Sequence, residues 1–174
     1  MTTKKEKRKE RQGSSNSTLL QEFTTSPQPP RKIQKAIEEN RNKKEFFAIV
    51  DLDDFKACND VHGHSFGDEV LLAVANTINA TFPDGIVGRF GGDEFIMYVV
   101  ATDETRITEK FDRCLKRFEK MLIRGENHEI KCSVGVVWSE KGGSYTDYFE
   151  AADALLYKAK NSGKNKVLCE KFKI

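Results

Sequence analysis

No run of apolar residues in this chain approaches the roughly 20 that cross a bilayer, and no apolar stretch follows Met1 as the core of an export signal would. A membrane span is therefore not expected, and a cytoplasmic setting is. Cysteine is sparse and scattered. Cys58, Cys114, Cys132 and Cys169 form no C-x-x-C pair, and a zinc site needs clustered ligands. His62 and His64 lie near Cys58 but do not complete one. Reduced thiols fit a cytosolic protein. Charge of one sign is missing too: 29 Lys and Arg against 27 Asp and Glu leave a net charge of only +2.

That near-neutrality hides a division. Residues 1–44 carry a net +7 and residues 45–174 a net −5. Residues 1–30 read as a basic, Ser/Pro-rich leader, too polar to bury surface that would offset the entropy of ordering. Met1–Gln12 holds six basic residues, two acids and no aromatic. The leader offers neither a folded basic face nor stacking aromatics, so specific nucleic-acid binding is not expected. It also leaves no room for a sensor domain of ordinary size before residue 45. The 174 residues, 38% of them hydrophobic, suit one domain with its own core.

Ile33, Ala36 and Ile37 have helical spacing, so a short lead-in helix is expected within 31–44. Phe46–Asp51 is an apolar run that reads as a strand covered on both faces and ending in an acid. A loop containing Asn59 and Gly63 follows. Leu71, Val74, Ala75 and Ile78 share one face of a helix over Asp68–Thr81. Ile86–Phe90 and Phe95–Val100 read as a hairpin closed by Gly91-Gly92. Ile107, Phe111, Leu115, Phe118 and Leu122 predict one long helix over Asp103–Arg124. Glu129–Trp138 reads as a strand, Asp147–Asn161 as a helix with Gly163 just beyond its end, and Lys166–Cys169 as a last short strand.

The resulting fold class is α+β. It has a ferredoxin-like, palm-type β-α-β-β-α-β core, with a mainly antiparallel sheet flanked by helices, an extra C-terminal helix and a short strand. In that unit the first and third strands are central neighbours. Asp51 ends the first and Asp93 precedes the third, so the topology brings both acids to one rim of the sheet. Two converging carboxylates need a cation between them. Mg²⁺ takes one or two carboxylates together with phosphates and water, the arrangement of two-metal phosphoryl or nucleotidyl transfer. Taken singly, a strand-end acid is usually solvated and a Gly-Gly-Asp turn is ordinary.

Three segments change that weighting. One is Gly91-Gly92-Asp93-Glu94-Phe95, preceded by Arg89-Phe90. Another is D-L-D-D-F-K-A-C-N-D-V-H-G-H-S-F-G-D-E-V-L, Asp51 through Leu71. The third is A-D-A-L-L-Y-K-A-K-N-S-G-K-N, Ala152 through Asn165. Together, over about residues 45–169, they resemble the GGDEF-domain diguanylate cyclases. The resemblance implies an enzyme that condenses two GTP into cyclic di-GMP across a homodimer and releases two pyrophosphates. It implies Mg²⁺, or Mn²⁺, held by Asp51, Asp93 and the Leu52 carbonyl, with Asp93 and Glu94 as catalytic acids. Asn59 and Asp68 match the guanine readers, and their chemistry suits the base: a carboxylate accepts from guanine N1–H and its 2-amino group but meets adenine's bare N1 poorly. Lys56, Lys160, Lys164, Gly91 and Gly92 match the phosphate-binding positions, where the glycines allow close approach.

The sequence also departs from the family. Lys164 stands where an Arg is usual, keeping the charge but losing the two-pronged geometry. The R-x-x-D product site falls on Phe82-Pro83-Asp84-Gly85, which has no Arg, so feedback through it is not expected. The lead-in motif D-x-L-T-x-L-x-N-R is reduced, over Glu22–Arg31, to a Thr and a final Arg. Two alternatives stand beside the cyclase: a catalytically silent GTP sensor, and a related cyclase making a different cyclic dinucleotide.

Overall fold

The computed structural model describes residues 28–173. The leader expected over 1–30 lies outside the described residues except for its last three, Gln28–Pro30, which open the lead-in helix instead, and most of the reduced lead-in motif also lies outside them. The lead-in helix α1 is Gln28–Glu39, followed by strand β1, Glu45–Leu52. Helices α2 (Phe55–His62) and α3 (His64–Thr81) lead to the β2 (Ile86–Gly91) and β3 (Glu94–Val100) hairpin. Helix α4 (Glu104–Phe118) and a small hairpin, β4 (Met121–Ile123) with β5 (Glu126–His128), precede β6 (Cys132–Ser139). Helix α5 (Tyr145–Asn161) and strand β7 (Val167–Lys171) close the fold.

The five-stranded sheet runs β2-β3-β1-β6-β7. β1 lies at its centre, antiparallel to β3 and β6, and only β7 pairs in parallel. The pleat sends alternate side chains of β1 to opposite faces. Phe46, Ala48, Val50 and Leu52 pack under α3 and α4, with Val70, Leu71, Val74, Phe111 and Phe118. Phe47 and Ile49 pack under α1 and α5, with Ile33, Ile37, Leu155 and Leu156. A strand covered on both faces has no reason to alternate polar residues, which is why β1 reads as a continuous apolar run.

The lead-in helix begins and ends earlier than expected, at Gln28 and Glu39, and β6 begins at Cys132 rather than Glu129. Four larger departures from the periodicity stand beside these shifts. The expected loop after β1 is helix α2, which buries no residue completely and so carries no apolar stripe. α3 begins at His64 rather than Asp68. α5 begins at Tyr145 because Ser144 and Asp147 form a capping box. The long helix stops at Phe118. Beyond it Leu122 is 68% exposed, while Met121 and Ile123 are buried with a period of two. Arg124 (φ 55°) and Gly125 (φ 86°) form the two-residue turn between Ile123 and Glu126, and positive φ at both central positions is what a tight hairpin needs.

Candidate functional site

The site lies where β1 ends against the β2–β3 turn. Asp51 pairs in register with Glu94, and the Leu52 N–H donates to the Asp93 carbonyl at 3.3 Å. The topology therefore joins two segments 42 positions apart in sequence, as strand order predicts. Gly92, between the two strands, has φ +46°, and a side chain there would meet no protein atom within 4 Å. The turn needs glycine for its backbone, and it leaves open space on its outer side.

Asp51 is only 5% exposed. Lys160, in the last turn of α5, places Nζ 2.7 Å from Asp51 Oδ1. Lys160 is the one side-chain cation on this buried oxygen, which has no further donor among the described residues. Burial pushes the Asp51 carboxyl above its usual range; Lys160 pulls it back, and Asp93 and Asp53 push it further up. Burial raises Glu94 as well, followed by the charges of Asp51 and Asp93. These are hard oxygen donors around an under-satisfied buried carboxylate, which suits a hard divalent cation. Among the described residues no group of three or more His, Cys, Asp or Glu side chains is arranged to hold a metal. A cation here would take two carboxylates, the backbone carbonyl of Leu52 and ligands from a bound molecule.

Beside the acids opens a cavity of about 590 Å³ lined by Phe55, Lys56, Asn59, Asp68, Leu71, Arg89, Gly92 and Asp93 among others, a volume within the range of small-molecule sites. It brings together both expected base readers, one expected phosphate lysine and the signature turn. Phe55 and Leu71 add apolar surface for a planar ring. Lys160 and Lys164 do not line it. Lys164 Nζ donates to both carboxylate oxygens of Asp54, at 2.7 and 2.9 Å. A second cavity of about 410 Å³ lies on the far flank of α2, lined by Phe55, Cys58, His62, Phe66 and His128 among others, and holds neither Asp51 nor Asp93.

Two contributors escape a reading of the sequence. Arg89 Nε donates to the Gly92 carbonyl at 2.8 Å, pinning the signature turn. Burial lowers its pKa, while Asp68 and Asp93 support its charge. The bulge between Arg89 and Gly91 re-aims the strand there; the pattern Arg-x-Gly-Gly is the only sequence trace of it. Asp53 accepts from Ser133 Oγ at 2.8 Å and from the Asn165 N–H at 2.9 Å. It ties the end of β1 to β6 and to the loop after α5. The doubled acids Asp53-Asp54 are its only signal.

A ferredoxin-like sheet with paired acids at its central rim, beside a cavity of small-molecule size, is a palm-type α+β domain. The family follows from comparison: residues 30–166 match the family described as "Diguanylate cyclase, GGDEF domain". The chain belongs to this family. It is similar to the diguanylate cyclase VdcA of Vibrio cholerae, 35% identical over 127 residues, covering 69% of this chain and 37% of that protein. It is likewise similar to the diguanylate cyclase DgcM of Escherichia coli, 36% identical over 121 residues, covering 69% of this chain and 29% of that protein. The chain thus spans only about a third of the length of the first relative and less than a third of the second. The GGDEF domain of DgcB from Caulobacter crescentus, solved in complex with c-di-GMP, superposes with a TM-score of 0.73 at 28% identity, covering 80% of this chain and 86% of that one. Among the described residues no helix is long and apolar enough to cross a membrane.

Proposed function

We propose that this chain is a diguanylate cyclase that condenses two GTP into cyclic di-GMP. The observation that carries the reading is the Leu52 N–H to Asp93 carbonyl contact. It seats the signature turn against the end of β1, so Asp51, Asp93 and Glu94 share one rim beside a cavity lined by Asn59, Asp68 and Lys56.

Asp68 accepts from the Watson–Crick edge of guanine and Asn59 completes the contact, so GTP is selected over ATP. Phe55 and Leu71 flank the ring. Lys56 faces the phosphates, and Lys160 and Lys164 reach them on leaving their present carboxylate partners. Asp51, Asp93 and the Leu52 carbonyl hold Mg²⁺, which Mn²⁺ can replace; the ion supplies charge stabilisation for the attacking oxygen and the departing pyrophosphate. Glu94 is the neighbouring carboxylate, placed to assist the metal or the attacking hydroxyl.

Each ring-forming step makes one bond between a 3′-oxygen and an α-phosphorus and breaks one between that phosphorus and the pyrophosphate oxygen. The hydroxyl proton leaves to a base. Two such steps close the ring and release two pyrophosphates. A subunit with one nucleotide pocket holds one GTP, so two copies must face each other for the reaction.

The test is incubation of the purified protein with Mg²⁺ and either GTP or ATP, with chromatography of the products. Cyclic di-GMP from GTP alone is the expected result. GTP bound but unchanged, at concentrations that permit dimers, would favour a silent sensor. A product from ATP would overturn the roles of Asn59 and Asp68.

A further inference from the structure

Asn59 of α2 meets the first turn of α3 at Gly67. A side chain at position 67 would begin 1.9 Å from Asn59 Oδ1, 2.9 Å from its Cγ and 3.0 Å from Phe55 Cζ. Contacts under about 3 Å are not tolerated in packed proteins, so either the amide or the helix would have to move. The backbone itself does not ask for glycine: Gly67 is inside a helix and its φ is not positive. In that setting alanine is the better helix former. The reason for glycine is therefore the amide lying against it.

Phe55 and Cys58 of α2 pack, partly buried, against the core, but no residue of the helix is completely buried, and Asn59 Oδ1 is buried without a hydrogen-bond partner among the described residues. The next residue along α3 is Asp68, the other side chain expected to read the base. Asn59 rests on Gly67 and Asp68 is bonded to it, so one peptide unit sets the spacing between the two.

We infer that Gly67 is a positioning residue for base recognition: by lacking a side chain it seats the Asn59 carboxamide and the Phe55 ring against α3, at a fixed distance from Asp68. This rests on the reading above that the cavity holds a guanine nucleotide, and it adds how that selectivity is set. Gly67 does not line the cavity; it acts through Asn59 and Phe55.

The test is equilibrium binding of the α,β-methylene analogues of GTP and ATP, which resist loss of pyrophosphate, to the full chain and to Gly67→Ala, Asn59→Ala and the double variant. The parent protein is expected to favour the guanine analogue. Gly67→Ala should weaken guanine binding about tenfold, the scale of one lost hydrogen bond at a buried site, and adenine binding less than twofold. In the Asn59→Ala background the severe clash is gone and only the 3.0 Å approach to Phe55 Cζ remains, so Gly67→Ala should add little further loss. Thermal melting provides the second readout: any destabilisation by Gly67→Ala should be relieved in the double variant. Unchanged guanine selectivity in Gly67→Ala, a second full loss in the double variant, or a double variant as unstable as Gly67→Ala would each overturn the inference while leaving the cavity's role standing. A parent protein that binds both analogues equally would overturn the two together.

Discussion

Glu45 opens β1 at the end opposite Asp51 and is 1% exposed. Tyr98 Oη donates to its Oε2 at 2.6 Å, and Tyr148 Oη donates to Oε1. Both rings are buried, at 3% and 1% exposure. One carboxylate thus joins β1, β3 and α5, and the Tyr98 hydroxyl also lies 3.3 Å from the Ala36 carbonyl of α1. Glu45→Ala strands these donors unequally. Tyr98 can turn to the Ala36 carbonyl, whereas Tyr148 loses its acceptor. A buried donor left unmade costs about 1–3 kcal/mol, and the space vacated by the side chain adds about 1 kcal/mol. The expected loss is about 3 kcal/mol, a large share of the roughly 5–15 kcal/mol that holds a domain together. Glu45→Gln retains a carbonyl acceptor and should cost about 1 kcal/mol.

Urea unfolding followed by circular dichroism measures both variants, with equal slopes as the check that only stability changed. In a scan, Glu45→Ala should melt roughly 10 °C below the parent. The pH dependence has a definite sign. Burial raises the Glu45 pKa, and the two tyrosines and Arg41 only partly oppose it. A carboxyl that binds its proton more tightly when folded adds stability as pH falls from neutral through its raised value, and loses that contribution as pH rises through it. Acidification should therefore shift the difference between the parent and Glu45→Gln in the parent's favour. Turnover per folded molecule should not change, because the site lies at the other end of the strand. Glu45→Ala within about 0.5 kcal/mol of the parent, or a gap that moves the other way on acidification, would refute this account.

At the site, Asp93→Ala should cut cyclic di-GMP formation by about 10³-fold or more while leaving the melting temperature nearly unchanged; full activity would end its assignment to the metal. Asp51→Asn should be equally inactive yet melt no lower than the parent in metal-free buffer, since it removes a buried charge set among Asp53, Asp93 and Glu94; a clear fall in melting temperature would show that the Lys160 pair outweighs that repulsion. Gly92→Ala places a side chain where φ is +46°, so calorimetry should register a loss of about 1 kcal/mol, with a steeper fall in turnover if the triphosphate approaches the open side of the turn. Lys164→Arg should keep stability and lower KM for GTP, and Lys164→Ala should raise it, as steady-state kinetics can separate.

The elements legible in the sequence are those whose burial imposes a period. β1 carries apolar side chains to both faces, and α5 sends Leu155, Leu156 and Ala159 inward. Their pattern is their packing. α2 left no such trace, because it sits between two cavities and buries nothing completely. α4 was extended too far because Leu122 happens to continue its period, although the chain has already turned into a strand whose buried partners are Met121 and Ile123. The helix itself stops at Phe118 with an ordinary φ of −63° at Glu119, so no glycine marks its end; the positive φ angles at Arg124 and Gly125 belong to the hairpin turn that follows.

The site divides along a similar line. Asp51 and Asp93 could be paired before any coordinates, because strand order in a ferredoxin-like unit fixes which ends meet. Asn59, Asp68 and Lys56 share the cavity because α2 and the first half of α3 line it together. The lysines of the last segment were legible only as charges. A long, flexible cation takes whichever acid is near, and here Lys160 goes to Asp51 and Lys164 to Asp54. Those partners are side chains of the same β1–α2 connection. Two of the lysines proposed to bind phosphate thus partly neutralise the acidic rim, and on that proposal a nucleotide would exchange these ion pairs for new ones. Such pairing helps the site remain folded despite its clustered carboxylates, since Lys160 and Lys164 each already offset a charge that would otherwise disfavour the fold.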